Sequence, residues 1–195
     1  MKKIRGITLS ALAMNLLAPA LAYAHPQHGG TGFIQGFVHP ILGLDHLLAM
    51  ITVGIWAAQV GGRAIWILPS AFVTAMFAGS MLGWAGFEVP MVEPVVAASV
   101  LVLGLVIMFR TRVSVPYAAS LAAVFALHHG AAHIAEASPT VSLITYGVGF
   151  IMATTLLHLT GIFAALALRG REIVLRLAAA PVGLAGGWML VSGFN

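Results

Sequence analysis

The sequence predicts an all-α, polytopic membrane protein, a bundle of six transmembrane helices that follows a cleaved signal peptide. Of its 195 residues, 61% are hydrophobic and 7% are charged, and the mean hydropathy is +1.03. Six apolar runs follow one another without a long polar interruption, and each has about the 20 residues that a helix needs to cross a bilayer. The arginines collect on alternate links between these runs, which is typical of a multi-pass protein.

Residues 1–24 are predicted to be the signal peptide. They contain a basic start, an apolar core at 7–17 and the small-residue ending Ala22-Tyr23-Ala24, which together are typical of bacterial secretion signals. The alternative is an uncleaved first transmembrane helix. Cleavage after Ala24 would remove three positive charges and leave six arginines against five acidic residues. The sequence pI of about 10.1 therefore does not indicate a nucleic-acid-binding surface.

The predicted mature chain begins with a short leader, 25–31, in front of a membrane domain at 32–195. The leader contains His25 and His28 beside the new amino terminus. These two histidines could collect a metal ion on the outer side of the membrane, or they could be incidental residues of a polar leader.

The charge pattern predicts how the bundle is oriented. The runs are 33–58, 64–86, 89–109, 116–135, 141–168 and 173–194. All six arginines of the mature chain lie on the odd-numbered links, whereas Glu88 and Glu93 lie on the link after the second run. Because basic links stay in the cytoplasm, we expect both mature termini to be periplasmic in a protein of the bacterial inner membrane.

The first run contains the most unusual stretch, H-P-I-L-G-L-D-H-L-L-A-M, which extends from His39 to Met50. An aspartate at mid-membrane costs roughly 2.5–3.5 kcal/mol, so Asp45 is expected to face protein, water or an ion. On one continuous helix, His39, His46 and Met50 share a face, with Asp45 about 100° away. Pro40 removes one helical hydrogen bond, and we expect the helix to bend there.

The fourth run contains a second polar group, H-H-G-A-A-H-I-A-E, at 128–136. His129, His133 and Glu136 follow the helical repeat and line one face. The predicted topology puts both polar groups in the outer half of the membrane, where they could surround a nickel, cobalt or zinc ion with nitrogen and oxygen ligands. No cysteine is present to supply a thiolate. The predicted metal ligands are His39, Asp45, His46, His129, His133 and Glu136.

A second set of candidates has equally simple structural explanations. Met50 could be a thioether ligand or could only fill the core. His128 and His158 could be further ligands or relays, or could be satisfied histidines of the helix packing. His25 and His28 complete this set.

At these two segments the chain resembles the HupE/UreJ family of hydrogenase and urease accessory membrane proteins. The first family signature, HPxxGxDHxxxM, is matched at His39, Pro40, Gly43, Asp45, His46 and Met50. The second, FHGxAHGxE, is matched at His129, Gly130, Ala132, His133 and Glu136. The chain departs from the second signature at His128, where the family has phenylalanine, and at Ile134, where it has glycine.

The resemblance implies a permease for divalent nickel, sometimes cobalt, that supplies metal for hydrogenase or urease maturation. It implies that the transported ion is the only metal, that no cofactor is permanently bound and that the protein is not an enzyme. Expected partners are the metal ion, the lipid bilayer and maturation proteins of nickel enzymes, without nucleic acid. Two alternatives from other classes are an intramembrane zinc-dependent hydrolase and a metal-binding accessory or sensor subunit without transport.

Overall fold

The computed structural model describes residues 32–136 and 142–193, which are helical apart from short links. The seven helices are α1 (Gly32–Leu42), α2 (Leu44–Val60), α3 (Ala64–Trp84), α4 (Val92–Phe109), α5 (Val115–Glu136), α6 (Leu143–Ala167) and α7 (Glu172–Ser192). The all-helical prediction is confirmed. The predicted signal peptide and the leader with His25 and His28 lie outside the described residues.

Several of these helices are suited to a bilayer. Helices α3, α4, α6 and α7 are long and apolar enough to cross, and α1 and α2 count as a fifth span if the bent pair is taken together. Helix α5 has 22 residues but is not among them, since its three histidines lower its hydropathy. The described residues therefore form a multi-pass membrane bundle with four or five apolar spans by length and composition.

The predicted bend in the first run is present, but it does not lie at Pro40. Helices α1 and α2 are bent by 78° relative to each other, and the break lies at Gly43, while Pro40 remains inside α1. Gly43 has an extended backbone (φ −73°, ψ 111°). A Cβ atom there would lie 3.2 Å from both Asp45 Oδ1 and His46 Nδ1, so glycine leaves room for these two side chains. The break therefore lies three residues after Pro40, at a glycine that leaves room for the side chains of Asp45 and His46.

Close backbone contacts divide the bundle into three packed units. Helix α3 packs most extensively on α5, α4 on α7, and α6 on both α1 and α2. In each unit, glycines lie where an added Cβ would overlap the backbone of the neighbouring helix; the glycines are Gly36, Gly54, Gly79, Gly104, Gly130, Gly149, Gly161 and Gly186. Such close approach is what holds helices together in lipid, where hydrophobic burial gives little net drive.

One end of the bundle contains the arginines. Arg110, after α4, forms an ion pair with Glu172 at the start of α7. One turn into α7, the Nε atom of Arg176 donates to the carbonyl oxygen of Met108 at 2.7 Å. Helix α5 starts near this end at Val115, and His133, 18 residues further along, lies about 27 Å away at 1.5 Å per residue. The arginine links and the second histidine group therefore lie at opposite ends of the bundle.

The glycine contacts predict a stability difference between two Gly→Ala substitutions. Gly79→Ala would place a methyl group against the carbonyl oxygen of Leu127 on α5, and overpacking of this kind costs about 1–3 kcal/mol. Gly147 in α6 has nothing within 4 Å of the corresponding position, so Gly147→Ala is the matched control. We expect thermal unfolding in detergent to occur at a lower temperature for Gly79→Ala only. Equal unfolding temperatures for the two variants would contradict the packing of α3 on α5.

Candidate metal centre

Two histidines of α5 form the first wall of the candidate site. His129 and His133 are four residues apart, so they lie on one face of the helix, as predicted. Both are buried, with exposed fractions of 0% and 2%. Neither ring nitrogen of His133 has a hydrogen-bond partner among the described residues. A buried polar group without a partner costs about 1–3 kcal/mol, so the site retains nitrogens that are available to a ligand.

The second wall is the start of α2, where Asp45 and His46 form a hydrogen-bonded pair. Asp45 Oδ1 accepts from the backbone N–H of His46 at 2.8 Å and lies 2.5 Å from His46 Nδ1. A carboxylate in the first turn of a helix is stabilised by the free N–H groups and by the helix dipole. Because Asp45 accepts the Nδ1 proton, the buried Nε2 atom of His46 has a free lone pair, and it has no other partner in the described part of the chain.

The bend at Gly43 brings His39 of α1 into the same site. On a straight helix His39 and His46 would be about 10.5 Å apart along the axis, but their ring centroids are 5.7 Å apart. The ring of His133 lies 4.8 Å from that of His39 and 4.2 Å from that of His46. One nitrogen from each of these three side chains can be chosen so that all lie within 4.8 Å of one another.

This spacing is close to that of a metal site. Nitrogens bound to one metal at about 2.1 Å lie at most about 4.2 Å apart, so adjustments of less than about 1 Å would bring three imidazoles onto one ion. Imidazole is a good ligand for nickel, copper and zinc. The three residues come from α1, α2 and α5, so the chain assembles the site from separate segments. We define His39, His46 and His133 as the histidine cluster.

Aromatic side chains of α6 close one side of the histidine cluster. The Phe150 ring lies 3.9 Å from that of His133 and 6.2 Å from that of His39. The Tyr146 ring stacks on Phe150 and lies 6.1 Å from that of His39. These rings exclude water from the imidazoles, which strengthens any interaction of the ring nitrogens with a cation.

A serine of α4 fixes His129 next to the histidine cluster. The His129 ring lies 4.9 Å from that of His46. Ser99 Oγ donates its only proton to the carbonyl oxygen of Val96 at 2.6 Å, so at 2.9 Å from His129 Nε2 it acts as the acceptor. This pairing assigns His129 to the Nε2–H tautomer. Its buried Nδ1 atom has a free lone pair and no partner within the described residues, as in a fourth ligand held by an outer hydrogen bond.

The structure brings four of the six predicted ligands together, namely His39, His46, His129 and His133. Asp45, also predicted as a ligand, is bonded to Nδ1 of His46 and is not part of the three-residue ligand group. This is the position of an outer carboxylate that orients a metal-binding histidine. Glu136 is the last residue of α5, and its side chain is not described.

The second set of candidates is dispersed. Met50 is fully buried in the apolar core. His128 is half-buried, and its Nδ1 atom lies 2.8 Å from the carbonyl oxygen of Val124, one turn earlier in α5. His158 is buried in α6, eight residues beyond Phe150.

Sequence reasoning missed Ser99, Tyr146 and Phe150. Serine and aromatic residues are common in membrane helices, and no local pattern marks these three. A helical-wheel comparison would have placed Tyr146 and Phe150 on one face of α6, because they are four residues apart. The contact of Ser99 with His129 joins residues 30 positions apart and leaves no local signal.

The Ser99 hydrogen bond predicts a change in metal affinity. Ser99→Ala would leave the Nε2–H of His129 without an acceptor, and loss of such outer contacts lowers affinity by about 10–100-fold. Ser99→Thr keeps the hydroxyl and is the matched control. We expect the affinity of the purified chain for Ni²⁺, measured by titration calorimetry, to fall for the alanine variant only. Native affinity in Ser99→Ala would contradict the role of this bond.

Comparison with known proteins identifies the family of this chain. The family model described as HupE / UreJ protein matches residues 12–189. The chain is also 44% identical over 187 residues to Protein HupE of Rhizobium leguminosarum bv. viciae, covering 94% of this chain and 95% of that protein. No solved structure matches the chain. The chain therefore belongs to the HupE/UreJ family.

Proposed function

We propose that this protein imports divalent nickel or cobalt across the cytoplasmic membrane and supplies it for hydrogenase or urease maturation. The observation that carries the proposal is the histidine cluster, in which three helices bring ligand nitrogens within 4.8 Å of one another inside an apolar bundle. Membership of the HupE/UreJ family supports the accessory role.

The ligand set suits an ion that is bound and then released. Imidazoles hold nickel and cobalt through nitrogen, and the chain has no cysteine that would add a thiolate. A transport site must bind well enough to replace water around the ion and weakly enough to let it leave. Ligands from separate packed units meet this need, because small displacements of the units change the number of nitrogens that reach the ion.

The membrane potential can drive this import without nucleotide hydrolysis. Moving one charge across 100 mV is worth about 2.3 kcal/mol, so a doubly charged ion gains about 4.6 kcal/mol on entering the cell. This corresponds to roughly a thousandfold accumulation. The sequence contains no G-x-x-x-x-G-K phosphate loop, which agrees with transport driven by voltage.

The proposed topology has six crossings after a cleaved signal peptide at 1–24, with both mature termini in the periplasm. Support for α5 as a crossing comes from its length of 22 residues, about 33 Å, and from its packing along α3. The arginine links are then cytoplasmic, and the histidine cluster lies in the outer half of the membrane. His25, His28 and Glu136 would make the first contacts with the incoming ion.

Two other functions remain distinct hypotheses. An intramembrane zinc hydrolase would retain zinc and turn over a lipid or peptide, although the HupE/UreJ family is not a known enzyme family. An accessory or sensor subunit would bind the ion without moving it. Measuring both the binding of the metal ion and its flux across the membrane separates these functions from import, because only import requires flux.

The proposed orientation predicts which links a reagent can reach. Because the native chain has no cysteine, Phe87→Cys and Thr111→Cys would each introduce one exposed thiol, on the links after α3 and α4. We expect a membrane-impermeant maleimide to label Phe87→Cys in intact spheroplasts and Thr111→Cys only after lysis. Labelling of both thiols in intact spheroplasts would refute the proposed topology.

Import predicts a loss of nickel uptake when the His46 pair is broken. His46→Ala removes a ligand nitrogen and Asp45→Asn removes the charge that orients it, so uptake of radioactive nickel by cells should fall by about tenfold or more. His128→Ala alters a histidine of α5 that lies outside the cluster and should retain native uptake. The comparison is made at equal abundance in the membrane. Native uptake by the Asp45 and His46 variants would remove the import function.

A further inference from the structure

One more buried histidine lies outside the cluster. His158 of α6 is 1% exposed, and neither of its ring nitrogens has a hydrogen-bond partner in the parts of the chain that the structure describes. One turn earlier, the hydroxyl of Thr154 is also fully buried without a partner. An apolar residue would pack at His158 without leaving nitrogens unsatisfied, so packing alone does not account for an imidazole here.

His158 lies deeper in the bundle than the histidine cluster. Phe150 contacts the cluster, and the eight residues from Phe150 to His158 rise about 12 Å along α6 towards the arginine end. Gly54 of α2 marks the same level, because a Cβ there would overlap the carbonyl oxygen of His158. Gly54 is likewise eight residues beyond His46.

The side chain of Phe72 connects the two levels. It is fully buried, and its ring centroid lies 5.8 Å from that of His129 and 5.1 Å from that of His158. Ring contacts thus continue inward from the histidine cluster through His129 and Phe72 to His158. Phe72 is the one member of this series that has no lone pair to offer a cation.

There is also space beside His158. An open groove of about 310 Å³ lies on the surface between α3 and α6, and His158 is among the residues that border it. Ser70, Thr74 and Thr155 border the same groove, and all three are exposed on the surface of the bundle.

We propose that His158 is a second, inner binding site for the transported divalent metal ion, separated from the histidine cluster by the side chain of Phe72. This inference rests on the proposed import function. In the described conformation the Phe72 ring lies between the two sites and blocks the passage of an ion. A change of the Phe72 side-chain rotamer opens a path between them. A site with one imidazole binds a cation more weakly than a site with several imidazoles, so an ion that reaches His158 can leave it inward.

The first test separates binding from flux. His158→Gln keeps a polar side chain of similar size but removes the imidazole. In the purified full-length protein we expect Ni²⁺ affinity at the outer cluster to stay within about twofold of native, and Ni²⁺ flux into proteoliposomes to fall by about tenfold or more. Native flux in His158→Gln overturns the inner site while leaving the import function standing. Absence of flux in the native protein overturns both.

The second test addresses Phe72 and does not depend on flux. In the cysteine-free chain, His158→Cys introduces a single thiol whose reaction with a positively charged methanethiosulfonate added from the outer side can be timed. We expect Phe72→Ala to speed this reaction by about tenfold or more and excess Ni²⁺ to slow it again. Phe77→Ala, on the exposed face of α3, is the matched control and should leave the rate unchanged. An unchanged rate in Phe72→Ala, or an equal increase in Phe77→Ala, overturns the separating role of Phe72.

Discussion

The structure depends on holding several imidazoles in fixed orientations inside a bundle that is otherwise apolar. An unpaired polar group in such an interior is costly, and a charged one far more so. Two side-chain hydrogen bonds meet this constraint. Asp45 accepts the Nδ1 proton of His46, and Ser99 accepts the Nε2 proton of His129. Each bond fixes one tautomer of its histidine and leaves the lone pair of the other ring nitrogen free. The same hydrogen bonds that stabilise the fold therefore also orient the nitrogens that could bind a metal ion.

The helix break at Gly43 is the second requirement. A straight helix would display His39 and His46 on one face but two turns apart. The 78° bend converts this separation along the chain into proximity in space. It also creates a helix amino terminus inside the membrane, whose free N–H groups stabilise the Asp45 carboxylate. Discontinuous helices at ion sites are common in transporters for the same reason.

Much of this arrangement could be predicted from local sequence, and the rest could not. Apolar length placed α3, with a predicted range of 64–86 against Ala64–Trp84, because hydropathy and span length are local properties. Helical periodicity correctly put His129 and His133 on one face. The break was expected at Pro40, because a missing N–H is visible in sequence whereas the crowding of Asp45 and His46 at Gly43 is not. Ser99 could not be predicted, because its hydrogen bond to His129 joins two different helices and leaves no local pattern in the sequence.

The division of the bundle into three glycine-packed units has a mechanical consequence. His39 and His46 belong to the unit of α1, α2 and α6, whereas His129 and His133 belong to the unit of α3 and α5. Ser99 belongs to the unit of α4 and α7. The candidate metal-binding side chains therefore lie at the interface between the units. A cation bound by these residues would connect all three units, so binding and release of the ion would be coupled to the packing of the units against one another.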